Sequence, residues 1–171
     1  FGMRVLALRR SAGRSDGGYS LEGRGDPKGN VPERFYQPEQ LHEMLAVCDY
    51  VVIALPHTPA TTHFVGEAEL RTMKPTAYLI NIARGCIVDE AALILALREG
   101  WIAGAGLDVF EQEPLPSDSP LWQMENVLIS PHVAGYTPRD DERAVEVFAR
   151  NMERYLAGQP LINRVDIARG Y

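Results

Sequence analysis

The 171-residue sequence is 46% hydrophobic and 23% charged, with a formal net charge of −6, which is ordinary for one substantial folded domain. The negative balance argues against nucleic-acid or anionic-membrane partners, and no apolar run approaches the roughly 18 residues of a membrane span. The two cysteines, Cys48 and Cys86, lack CxxC or metal-ligand spacing, so a reduced, cytoplasmic protein is expected.

The first residues read as the lead-in to a strand, not as a signal peptide. Residues 3–8 (MRVLAL) form a short apolar strand that stops at Arg9-Arg10-Ser11. Residues 11–32 are rich in Gly, Ser, Asp and Arg, and predict a long surface loop. A brief edge strand is expected at 33–36, and a short helix at 38–47 with Leu41, Met44 and Leu45 on one face. Residues 50–55 (YVVIAL) are a continuous apolar run, which predicts a strand covered on both faces. A helix at 66–73 and a second buried strand at 77–82 (AYLINI) follow. Residues 89–98 (DEAALILALR) predict a helix with acids in its first turn and Gly100 just past its end. Further strands are expected at 102–110 and 127–130, and a long helix at 138–156. This alternation implies an α/β fold with a parallel sheet and helices on both faces. Ligands collect at the C-terminal strand ends of such sheets, so the residues just after each strand are the candidates for chemistry.

Arg84 directly follows a strand, where a guanidinium can grip a carboxylate in a bidentate fork or simply form a structural salt bridge. His132 follows a strand and a proline, and histidine is suited to proton exchange near neutral pH. His42 is expected on a solvated helix face, His63 in a loop, and His57 at a strand end as a contact more than an acid. A carboxylate beside an imidazole fixes its tautomer and favours its protonated form. Glu113 and Glu111 both qualify, and spacing alone does not choose between them. Asp108 ends a strand and could cap a helix or touch a cofactor.

Taken together, these pieces resemble the D-isomer-specific 2-hydroxyacid dehydrogenases. The resemblance is carried by Asp49-Tyr50-Val51-Val52 with Leu55-Pro56-His57-Thr58-Pro59, Leu79-Ile80-Asn81-Ile82-Ala83-Arg84-Gly85 with Val88-Asp89-Glu90, Gly106-Leu107-Asp108-Val109-Phe110 with Glu113-Pro114-Leu115, Ser119-Pro120-Leu121-Trp122, and Asn126 through His132. The C-terminal Val165-Asp166 and Ala168-Arg169-Gly170-Tyr171 look like the endings of glyoxylate/hydroxypyruvate reductases. The resemblance implies a Rossmann-like doubly wound parallel sheet and reduction of a small 2-oxoacid by a nicotinamide cofactor. Arg84 would hold the substrate carboxylate, His132 would donate the proton, and Glu113, the acid immediately before the proline, would orient His132. Leu55, Pro56, Ile82, Ala83, Arg84, Asp108, His132, Ala134 and Gly135 would line the dinucleotide. A homodimer is also implied. The strand at 3–8 ends in Arg9, Arg10 and Ser11 with no acid, which suits a 2′-phosphate and favours NADPH over NADH.

The glycine-rich dinucleotide fingerprint and the N-terminal substrate domain of the family do not match any part of the sequence. In the usual strand order the first strand is central. The expectation is therefore an excerpt of a longer polypeptide, weak in cofactor binding and inactive alone. Residues 1–160 would form a partial dinucleotide-binding domain, and 161–171 a tail returning toward the substrate domain. The resemblance also leaves room for a phosphoglycerate- or phosphite-type dehydrogenase, or a dinucleotide-sensing corepressor-like binding protein. Glu113 argues against the formate enzymes, which carry glutamine there.

Overall fold

The computed structural model describes residues 2–10, 25–26 and 28–167. Ser11, most of the loop at 11–32 and the end of the C-terminal tail lie outside the described residues. The chain divides into two compact units, residues 1–37 with 136–171, and residues 38–135.

In the first unit, β1 (Leu6–Leu8) pairs in parallel with β2 (Arg34–Tyr36). The Arg9 amide extends the ladder by donating to the Tyr36 carbonyl at 3.0 Å, and the Arg9 guanidinium lies 3.9 Å above the Phe35 ring. The same unit holds a long helix (Asp140–Leu156), numbered α4 in chain order. Its start is set by Asp140, whose carboxylate accepts from the Thr137 amide at 2.7 Å and hydroxyl at 2.6 Å. Val145, Phe148, Met152 and Tyr155 form an exposed apolar stripe on it at helical spacing.

The second unit is a four-stranded parallel sheet in the order β3 (Tyr50–Ile53), β4 (Tyr78–Asn81), β5 (Gly104–Leu107), β6 (Val127–Ile129). Helices α1 (Leu41–Leu45), α2 (Glu67–Thr72) and α3 (Glu90–Glu99) accompany it. Their ends follow local chemistry. The Glu69 carboxylate accepts the Gly66 amide at the start of α2 at 3.0 Å, and Asp89 accepts the Ala92 amide at the start of α3 at 3.0 Å. Gly100 closes α3 in the left-handed conformation at φ 70°.

Burial alternates along the strands. Val51, Ile53, Leu79, Asn81, Ala105 and Leu107 are buried, as are Leu45, Leu70, Leu93 and Ala96 of the helices. The opposite face is open within this unit, with Val52 58% and Leu128 80% exposed. β3, β4, β5 and β6 are added in one direction, and right-handed crossovers between successive neighbours all fall on the same side, so this unit by itself covers one face of its sheet. Among the described residues no strand pairs with both β1 and β3. None of their helices is long and apolar enough to cross a membrane.

Candidate active site

The strand register sets Ile53, Asn81, Leu107 and Ile129 in one row at the C-terminal edge of the sheet. The segments that follow this row carry the candidate residues: Leu55-Pro56 after β3, Ile82-Ala83-Arg84 after β4, Asp108 to Pro114 after β5, and His132 to Gly135 after β6. Ile82, Val133, Ala134 and Gly135 are exposed there.

The turn bearing Arg84 is built by Asn81, a polar residue only 1% exposed at the end of β4. Its side-chain amide donates to the Arg84 carbonyl at 3.0 Å, and its side-chain oxygen accepts the Ala83 amide at 3.1 Å. The Arg84 guanidinium donates to the Ala83 carbonyl at 2.6 Å. Gly85 then brings this turn against the loop after β5. A Cβ at Gly85 would lie 1.8 Å from the Phe110 carbonyl carbon and 2.4 Å from the Glu111 nitrogen. Both obstacles are backbone, so neither can swing away. Gly85→Ala is expected to destabilise the fold by about 3 kcal/mol, the upper end of ordinary overpacking, as read from the urea midpoint. An unchanged midpoint would show that the two loops are not held in contact.

Asp108 is 3% exposed, yet its carboxylate is fully engaged. It accepts from the Ser130 hydroxyl at 2.6 Å, the Val133 amide at 2.9 Å and the Ala134 amide at 2.8 Å. Burial pushes this carboxyl up, but those three hydrogen bonds and the nearby His132 outweigh it and hold it below the ordinary carboxylate range. The bonds grip the turn on both sides of His132, whose backbone sits at φ 56°. A non-glycine residue in that region persists only where its surroundings fix it.

The result is direct contact between His132 and Glu113. The His132 Nδ1–H donates to Glu113 Oε2 at 2.7 Å, and the Phe110 amide donates to Glu113 Oε1 at 3.0 Å. Burial raises the Glu113 carboxyl, but the His132 and Phe110 hydrogen bonds and the charges of His132 and Arg84 overcome this and lower it. Nδ1 is committed to Glu113, and the other ring nitrogen, Nε2, takes no part in that bond. Glu111, the competitor for this role, pairs instead with His63 Nε2 at 2.8 Å. The structure therefore gathers Arg84, Glu113 and His132 in the second unit, and it places Arg9 and Arg10 after β1 in the first. His57 bonds the Thr62 hydroxyl at 3.0 Å, and His42 bonds Glu69 at 2.9 Å. Asn81 and the pairing of His63 were not singled out from the sequence. A buried-type strand ending in asparagine was the one available signal for the former.

Residues 1–134 match the NAD binding domain profile of the D-isomer specific 2-hydroxyacid dehydrogenases. A glyoxylate reductase of Thermofilum pendens is 47% identical over 141 residues, covering 82% of this chain and 41% of the relative. One from Thermococcus gammatolerans is 43% identical over 159 residues, covering 93% of this chain and 43% of the relative. The chain thus spans about two fifths of the length of these curated relatives, at 41% and 43%. Among solved structures, a D-isomer specific 2-hydroxyacid dehydrogenase from Xanthobacter autotrophicus in complex with NADPH and MES superposes with a TM-score of 0.82 at 41% identity, over 99% of this chain and 64% of that one. An NADPH-dependent glyoxylate/hydroxypyruvate reductase from Sinorhizobium meliloti, in complex with NADP and sulfate, gives 0.80 at 31% identity, over 99% and 50%. Profile, relatives and fold agree that the chain belongs to the D-isomer specific 2-hydroxyacid dehydrogenase family and carries residues of its NAD binding domain.

Proposed function

We propose that the protein carrying this chain reduces a small 2-oxoacid of the glyoxylate or hydroxypyruvate type to the corresponding 2-hydroxyacid, of D configuration where a stereocentre forms, with NADPH preferred over NADH. The observation that carries this reading is the 2.7 Å bond between His132 Nδ1 and Glu113 Oε2, with the charge of Arg84 acting on the same carboxylate.

The residues fit a nicotinamide dinucleotide. In the second unit, exposed apolar groups at Ile82, Val133 and Ala134 offer a shelf at the strand ends; in the first unit, Arg9 and Arg10 follow β1 with no acid at the strand end, the chemistry that suits a 2′-phosphate. When bound, the reduced nicotinamide supplies the hydride. Arg84 binds the substrate carboxylate and draws electron density toward the carbonyl oxygen. His132 Nε2–H donates to that oxygen and passes its proton as the alkoxide forms. Glu113 fixes the orientation of the ring through Nδ1. A cation and a proton donor beside the developing oxyanion stabilise the transition state more than the ground state. Asp108 acts in this scheme by holding the His132 turn.

Two experiments test the reading. Hydroxypyruvate incubated with the complete protein and NADPH is expected to give D-glycerate on chiral chromatography; L-glycerate would contradict the assignment. Arg10→Ala is expected to raise the KM for NADPH by about tenfold, the worth of one charged hydrogen bond, and to leave the KM for NADH nearly unchanged. Equal shifts for both cofactors would remove the argument for phosphate recognition.

A further inference from the structure

Arg84 and Glu113 stand on two chain segments, residues 84–90 and 108–114. These segments are laced together by residues that do not belong to the trio. The Glu90 amide donates to Glu111 Oε1 at 3.2 Å, and the Glu111 amide donates to Glu90 Oε2 at 3.1 Å. Each carboxylate thus accepts the backbone of the other segment. His63 adds a third strap. Its amide donates to the Cys86 carbonyl at 2.8 Å, while its ring Nε2 lies 2.8 Å from Glu111 Oε1. His63 therefore touches the Arg84 turn with its backbone and the Glu113 loop with its side chain. It does so from a left-handed conformation, φ 49°, which an L residue holds when its neighbours demand it. At Gly85 the Arg84 turn packs directly against the backbone of Phe110 and Glu111.

We propose that Glu90, Glu111 and His63 form a positioning clasp, which holds the Arg84 turn against the Glu113 loop and so keeps the guanidinium in register with the Glu113–His132 pair. The proposal rests on the reductase reading above. None of the three reacts with substrate. Their role is geometric, and small misplacements of reacting groups are costly, since a shift of about 1 Å can lower turnover by about 10²-fold. The clasp gives Glu111 a role distinct from that of Glu113, two residues away. One acid orients the imidazole and the other fixes the loop that carries its neighbour.

The test uses Glu111→Ala, Glu111→Gln and His63→Ala in the complete protein. It measures kcat and KM for hydroxypyruvate, the Kd for NADPH, and the titration of the Glu113 carboxyl by carbon NMR. Circular dichroism checks that each variant is folded. E111A is expected to lower kcat by about tenfold through misplaced geometry, with the NADPH Kd nearly unchanged. The Glu113 titration should rise toward the ordinary carboxyl range as its loop loosens. E111Q keeps an oxygen for the Glu90 amide and should recover most of the kcat. If E111A does not fold, H63A carries the same readouts, because it leaves both carboxylate–amide bonds in place. A wild-type kcat in the folded variant, or an unmoved Glu113 titration, overturns the clasp. If the wild-type protein turns over no 2-oxoacid, the reductase reading fails and the Glu113 titration alone decides the clasp.

Discussion

Replacing His132 by alanine is expected to lower kcat for a 2-oxoacid by about 10²–10⁴-fold, the usual worth of a positioned general acid, while the affinity for reduced cofactor changes little. The geometry explains the asymmetry. The imidazole is tied at Nδ1 to Glu113, so in the proposed mechanism the substitution removes the donor at Nε2, which matters as negative charge gathers on the carbonyl oxygen. Cofactor contacts in the proposed reading are instead spread over several segments of the chain. A fall in kcat with a stable cofactor Kd is the mark of an interaction made in the transition state. Stopped-flow and steady-state rates with NADPH separate the two quantities. Turnover near the wild-type value in the variant would exclude His132 as the proton donor.

Removing the carboxylate of Asp108 should have the largest effect on stability. In Asp108→Ala the Ser130 hydroxyl and the Val133 and Ala134 amides all lose their acceptor. Each unsatisfied buried group costs about 1–3 kcal/mol, and partial relaxation of the turn makes about 3–5 kcal/mol in total a reasonable expectation. Activity should fall as well, because these bonds hold His132 at its positive φ. Urea unfolding followed by circular dichroism gives the first number and hydroxypyruvate turnover the second. A loss below about 1 kcal/mol would show that the turn stands without its acid. The same residue carries a pH signature. Its carboxyl lies below the ordinary range in the folded protein. Its contribution is therefore present above about pH 4, the unfolded value, and is lost as the pH falls through the depressed folded value. Asp108→Ala should flatten that acid limb of the stability curve.

Much of the second unit was legible in the sequence because its signals are local. The runs at 50–55, 77–82 and 127–130 became β3, β4 and β6, and the capped helix expected at 89–98 became α3 at Glu90–Glu99. The strand expected at 102–110 is shorter, Gly104–Leu107, because Asp108 turns its carboxylate to Ser130 and starts the loop there. The short 3₁₀ turns at Gly85–Ile87 and Pro120–Gln123 had no periodicity to reveal them. Arg84, Glu113 and His132 could be placed after their strands, but their contact could not be. The bond between residues 113 and 132 depends on two adjacent strands ending in one row. His63 was read as a loop histidine because its partner, Glu111, is distant in sequence and local patterns carry no trace of the pairing.

The most direct test of the trio is the rate at which the complete protein oxidises NADPH in the presence of glyoxylate or hydroxypyruvate, followed by the absorbance of the reduced nicotinamide. With Arg84 holding the carboxylate, His132 donating the proton and Glu113 orienting the imidazole, saturable turnover above about 1 s⁻¹ is expected, within the common enzyme range. Tight NADPH binding with no turnover across a panel of 2-oxoacids would contradict it.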